Sequence, residues 1–135
     1  MRQYFLFLFV IFASPFVKAE WRMLVHGSTH QPEQYIDVEK VKQTGPMAIY
    51  RQVPVLSQGD GLDSNGDLST LALYEYDCMK AKFRLLQLSG FSRRWAEGQV
   101  TAAAAPNGLT QWTPVHFESL EQQIFNLLCL DGKDQ

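Results

Sequence analysis

Apolar and polar positions alternate through most of this chain, and helical spacing takes over only near its end. Trp21 to Val25 alternates before Gly27-Ser28, and Tyr35 to Val38 makes a brief second run. A basic stretch follows and closes at Gly45-Pro46. Met47 to Val53 reads as the next strand, with Pro54 as its stop, because proline cannot donate to a ladder. Leu71 to Asp77 is the clearest strand. Its period of two puts Leu71, Leu73, Glu75 and Asp77 on one face and Ala72, Tyr74, Tyr76 and Cys78 on the other. Lys82 to Leu88 follows, bounded by Ser89-Gly90, and a weaker strand covers Gly98 to Ala102 before the turn Pro106-Asn107-Gly108. Between strands, Ser57 to Ser69 is rich in Gly, Asp, Asn and Ser and reads as a long polar connection.

Parity across Cys78 sets a local requirement. One unbroken strand over 71–88 would put Lys80, Lys82 and Arg84 on the Cys78 face. A turn or a bulge near Met79–Ala81 removes the conflict.

The period changes after Ser119. Gln122 stands three residues on, as in a capping box, and Leu120, Ile124, Leu127 and Leu128 then recur at helical spacing. Phe125 widens the stripe, Glu121 suits the positive end of the dipole, and Asp131-Gly132 ends the run. Strands followed by one amphipathic helix predict an α+β domain: an antiparallel sheet with a helix packed across one face.

The first residues do not belong to that domain. Arg2 precedes an apolar run from Tyr4 to Phe12, then Pro15, then Val17 and Ala19 at the two small-residue positions before a cut. This is the pattern of a cleaved signal peptide over 1–19, with the cut at Ala19/Glu20 and a single domain over 20–135. The run is too short for a spanning helix, which needs about 20 apolar residues. No Cys lies near the cut, so the expected product is exported, periplasmic or secreted, and not lipid-anchored.

Export makes the cysteines readable. The only two, Cys78 and Cys129, predict one disulfide in an oxidising compartment. It would join the end of a strand to the last turn of the helix. Closing a loop of about 50 residues stabilises by roughly 4 kcal/mol at most, against a net stability of about 5–15 kcal/mol. Neither Cys belongs to a Cys-x-x-Cys pair or has a ligand-spaced His, as redox or metal chemistry would require.

Charge narrows the partners. The chain carries net −2, and losing Arg2 and Lys18 with the leader makes it −4. A mildly acidic domain without a basic face is a poor nucleic-acid binder. On one strand Lys80, Lys82 and Arg84 would point the same way, and Arg93 and Arg94 extend the positive patch. This row is the candidate binding set, suited to acidic segments or sulfated glycans; a solvated strand face is the plainer reading.

Other chemistry is thin. Asp63-Ser-Asn65-Gly-Asp67 begins like a calcium loop, but Leu68 and Tyr74 stand where that loop needs Gly and Glu, and Asn65-Gly66 is a turn dipeptide. His26 and His30 have zinc spacing only on a helix, which Gly27 and Pro32 oppose, and His116 stands apart. No Ser sits in a Gly-x-Ser-x-Gly elbow, and no Gly-rich loop leads into a helix as a phosphate cradle. Glu75 and Asp77 could do acid–base work, but a solvated sheet edge or an ion pair with Arg84 is the simpler expectation. No catalytic residue, metal or cofactor is assigned.

Tyr35-Ile-Asp37, Glu75-x-Asp77-Cys78 with Arg84 six residues later, Trp112-Thr-Pro114-Val115, Ser119 and Cys129, in that order, resemble the surface-adhesin protein E family over Trp21 to Cys129. The resemblance implies a six-stranded antiparallel sheet with its C-terminal helix fastened by the disulfide. It also implies a non-enzymatic envelope protein that binds a protein, either a host extracellular-matrix protein or an envelope component, with a capacity to form a homodimer. The family's namesake is an outer-membrane lipoprotein that binds host matrix proteins and plasminogen. This chain departs from it in having no lipobox Cys, and it has Phe117-Glu118 where a Pro often precedes the capping Ser. Only the Cys pair and the cap carry over residue by residue. A small periplasmic enzyme or enzyme inhibitor, and a structural partner in an envelope assembly, are the alternative functions.

Overall fold

A computed structural model describes residues 20–27, 31–59, 67–104 and 111–130. The leader 1–19, positions 63–66 of the carboxylate loop, His30, the Pro106-Asn107-Gly108 turn and Asp131-Gly132 lie outside the described residues. The strands are β1 (Trp21–Val25), β2 (Glu33–Asp37), β3 (Lys42–Thr44), β4 (Tyr50–Gln58), β5 (Ser69–Asp77), β6 (Lys82–Phe91), β7 (Val100–Ala104) and β8 (Thr113–Pro114). They form one antiparallel sheet with the path β1-β2-β4-β5-β6-β7; the short β3 and β8 attach to β4 and β6.

Helix α1 (Leu120–Phe125) continues into a wider π turn over Asn126–Leu130. Its start is fixed as the sequence predicts: Ser119 Oγ accepts from Gln122 N at 3.1 Å. Gln122 Oε1 reaches back to the Glu118 N–H at 2.7 Å, one residue before the cap, rather than to Ser119 itself. The helix buries Ile124, Leu128 and Cys129 against Ile36, Val53, Val55 and Tyr76 of the sheet. Full burial of each aliphatic side chain contributes about 2–3 kcal/mol. The Cys78–Cys129 disulfide ties the last turn of this helix to the end of β5.

Several strand boundaries correct the sequence reading: β2 ends at Asp37 with Val38 in a 3-10 turn, β7 spans Val100–Ala104 rather than Gly98–Ala102, and three others have a structural cause. Pro54 does not stop a strand; β4 runs through it to Gln58, and Pro54 lies opposite Leu73. On its other edge β4 pairs with β2 at Val55–Gln58 and with β3 at Tyr50–Gln52, so Pro54 falls in the gap between them. No neighbour there asks for the missing N–H. Met47, Ala48 and Ile49 are not strand: Pro46–Ala48 is a 3-10 turn with Met47 at φ 55°. Strand β6 runs past Ser89-Gly90 to Phe91. Gly90 is required there by close packing, since a Cβ would collide with the buried Asp67 carboxylate. A bulge at Leu86 interrupts the β5–β6 register between Leu73 and Tyr74.

The parity conflict at Cys78 is resolved by a turn over Cys78–Ala81. Asp77 Oδ1 fixes it, accepting from Met79 N at 2.9 Å and Lys80 N at 3.0 Å, and Ala81 takes φ 52°. Lys82 and Arg84 thereby pair with Asp77 and Glu75, on the sheet face turned away from the disulfide.

Candidate protein-binding groove

At the disulfide end of the domain an open basin of about 980 Å³ lies between the sheet edge and the end of the helix. Four local devices build it. Asp37 Oδ1 accepts from Glu39 N at 3.1 Å and starts the 3-10 turn Val38–Lys40, which leaves Val38 half-exposed. Gly45 at φ 77° lets the chain enter the Pro46–Ala48 turn. Arg51 donates to the carbonyls of Ala48 and Tyr50 and so clamps that turn from β4. The Asp77-fixed turn, bonded from Cys78 N to Ile49 O at 3.1 Å, forms the opposite lip.

These devices turn apolar side chains outward. Met47 is 94% exposed and Met79 is 75% exposed, one on each lip, with Leu130 half-exposed at the helix end. The disulfide lies in the floor. Among the described residues, Arg22 and Arg51 against the single Glu39 give the lining a positive excess. Flexible thioethers over an apolar floor make a surface that adapts to a protein partner.

The cationic row divides between the two ends of the β5–β6 pair. Lys80 is exposed in the turn beside Met79, and Lys82 starts β6. Arg84 is engaged: its guanidinium donates to Glu75 Oε1 at 2.6 and 3.0 Å and lies 4.3 Å from the centre of the Trp112 ring. Glu75 also accepts from Gln52 and Thr44, so this buried carboxylate is fully used in structure rather than free for acid–base work. Arg93 and Arg94 lie by Ser69, six residues from Glu75 along β5, or about 20 Å. Arg94 pairs with Glu33 at 2.9 Å.

Around Glu33 the structure builds a second polar cluster that the sequence did not announce. Glu33 Oε2 accepts from Tyr35 Oη at 3.0 Å and Gln58 Nε2 at 3.3 Å as well as from Arg94. The Tyr35 bond, chiefly, holds the Glu33 carboxyl below its ordinary range, and burial pushes the Tyr35 phenol up. Gln58 accepts from Trp95 N at 2.8 Å and Ser69 Oγ from Ala96 N at 3.0 Å. These bonds pin the 3-10 turn Arg94–Ala96 over the sheet, with the Trp95 and Tyr35 rings 4.9 Å apart. Of the calcium-like segment, the described member Asp67 is buried and accepts from Thr101 Oγ1. His26 and His116 are exposed, and among the described residues no three His, Cys, Asp or Glu side chains gather as a metal site would need.

The model of the surface-adhesin protein E family matches residues 21–130. The chain belongs to that family. Its fold is that of Haemophilus influenzae protein E. The selenomethionine form of protein E aligns with TM-score 0.58 and 14% identity over 76% of this chain and 83% of that one. Protein E from non-typeable Haemophilus influenzae aligns with TM-score 0.58 and 13% identity over 86% and 79%. No curated protein matches the sequence. Membership makes this an adhesin-like protein of the exported or surface class. No helix among the described residues is long and apolar enough to cross a membrane.

Proposed function

We propose that this protein is a non-enzymatic, exported binding module whose disulfide-end groove docks an extracellular protein, of the host matrix or of the bacterial envelope. The observation that carries the reading is the pair of methionines held outward by fixed turns on either side of an apolar, positively biased basin. Membership of an adhesin family supports it. The occupant presents apolar side chains to Met47, Met79 and Leu130, and carboxylates to Arg22 and Arg51. Lys80, beside Met79, adds to the attraction; Lys82 and Arg93 act as outlying charges that raise the association rate. Arg84 and Arg94 contribute less, because Glu75 and Glu33 already neutralise them. The protein acts after removal of residues 1–19, with the mature chain starting at Glu20.

The test is surface binding of the purified, disulfide-bonded protein to a panel of host extracellular-matrix proteins and bacterial envelope proteins, with Met47→Asp/Met79→Asp and Lys80→Glu/Lys82→Glu alongside. The reading expects saturable binding to at least one protein of the panel. The methionine variant should lose it by tenfold or more, and the lysine variant should mainly slow association at low salt. Binding indifferent to both variants, or absent from the whole panel, defeats the reading.

A further inference from the structure

The disulfide takes both cysteines of the chain, so the domain offers no free thiol. A thiolate is the sulfur that a two-electron oxidant meets first; without one, the thioethers are left to react. The described residues include three methionines, Met23, Met47 and Met79. Met47 is 94% exposed and Met79 is 75% exposed, close to what a free side chain offers. Met23 lies within β1 opposite Tyr35 and is 41% exposed. The two open thioethers share one place: both line the disulfide-end groove, and Met23 is not part of that lining. Backbone geometry keeps them there. Met47 itself takes φ 55° in its 3-10 turn, the Asp77 carboxylate accepts from the Met79 amide, and the bond from Cys78 N to Ile49 O links the two turns.

We propose that Met47 and Met79 form a reversible oxidation site, at which a peroxide converts both thioethers to sulfoxides and so switches the groove off. Its consequence for binding rests on the docking role proposed above, whereas the oxidation belongs to the free protein. In each event a sulfur lone pair attacks one oxygen of hydrogen peroxide. The O–O bond breaks as the S–O bond forms, and the departing hydroxide takes the proton of the transferred oxygen and leaves as water. Sulfur loses two electrons and the peroxide gains them. A flexible apolar lip thereby becomes a polar one. An apolar partner seated on it would bury the sulfoxide oxygen without a donor, which is costly, and both lips carry that cost at once. The reverse step needs a dithiol methionine sulfoxide reductase: the oxygen leaves as water and the two thiols of the reductase join as a disulfide.

The test exposes the disulfide-bonded protein to millimolar hydrogen peroxide and follows each methionine by peptide mass spectrometry, with the urea-unfolded chain as control. Met47 and Met79 should form sulfoxide at least about threefold faster than Met23 in the folded protein, and all three at similar rates in the unfolded chain. The two methionine sulfoxide reductases, one for each sulfoxide epimer, should restore both residues. Equal rates for the three in the folded protein, or sulfoxides that the reductases leave in place, overturn the proposal. The treated protein, with a melting temperature that shows it folded, should bind the partner identified by the binding panel at least about tenfold more weakly. Met47→Leu/Met79→Leu should keep its binding through the same treatment. Unchanged binding by the treated protein, or an equal loss in the leucine variant, overturns the switch. If the untreated protein binds no member of the panel, the docking reading fails, and the site-resolved rates and repair decide the modification on their own.

Discussion

The two faces of the sheet are held by different physics. Under the helix, Ile36, Val53, Val55 and Tyr76 meet Ile124, Leu128 and Cys129 in an apolar layer closed by a disulfide. On the other face Tyr35 and Leu56 are buried as well, but much of what covers that face is hydrogen-bonded. The Trp95 turn is pinned by Gln58 and Ser69, and Trp112 lies over the Arg84–Glu75 pair and beside Tyr50, with ring centres 5.2 Å apart. The helix face draws on burial, which depends on area. The polar face draws on matched partners, each of which is costly to orphan. The lesson is that one sheet can be sealed twice, once by a continuous element and once by two short segments that dock through specific bonds.

Breaking the helix face should cost most. Replacing both cysteines by alanine should lower stability by roughly 4 kcal/mol, the upper value for a loop of this length, read from denaturant midpoints. Ile124→Ala should cost about 3 kcal/mol through lost burial and an unfilled cavity. On the polar face, Glu75→Gln should cost about 1–3 kcal/mol. The buried site loses the charge that Arg84 requires, while Gln52 and Thr44 keep a partner of the same shape. A loss from Glu75→Gln larger than that from Ile124→Ala would reverse the comparison.

These differences explain what the sequence could show. The alternation over Leu71–Asp77 and the Ser119 cap rest on local periodicity and local hydrogen bonds, so both were readable, and so was the need for a turn at Met79–Ala81. Pro54 was misread because its tolerance depends on the gap between β2 and β3, a fact of pairing and not of the segment itself. Gln58 and Ser69 looked like members of a polar loop. They are buried anchors because Trp95 and Ala96, 37 and 27 residues away, come to them. Arg94 finds Glu33 across 61 residues, a separation no spacing rule reaches. The groove was invisible for the same reason: Met47 and Met79 reach opposite lips only through turns of unusual backbone angle.

Acidity and alkalinity sharpen the contrast further. Glu33 is held below its ordinary value of 4.5, so its contribution is complete above that pH and is lost as pH falls through the folded value. Acid should therefore loosen the Arg94–Ala96 turn first, seen as earlier exposure of Trp95 by fluorescence. Tyr35, Tyr74 and Tyr76 are raised above 10, so the unfolded chain gives up phenol protons before the folded one. Stability should fall as pH rises beyond about 10, measured by denaturant midpoints from pH 8 to 11, and Tyr76→Phe should flatten that fall. The smallest effect belongs to the half-exposed Glu33–Arg94 pair, whose double-mutant coupling should stay below about 1 kcal/mol.

The central claim, that the methionine-lipped groove is the docking surface, is tested most directly by hydroxyl-radical footprinting with and without the protein partner that the binding panel identifies. Met47 and Met79 should oxidise readily in the free protein and be protected together in the complex. Protection that falls instead on Trp95 and Arg93, with Met47 and Met79 oxidised as before, would contradict it.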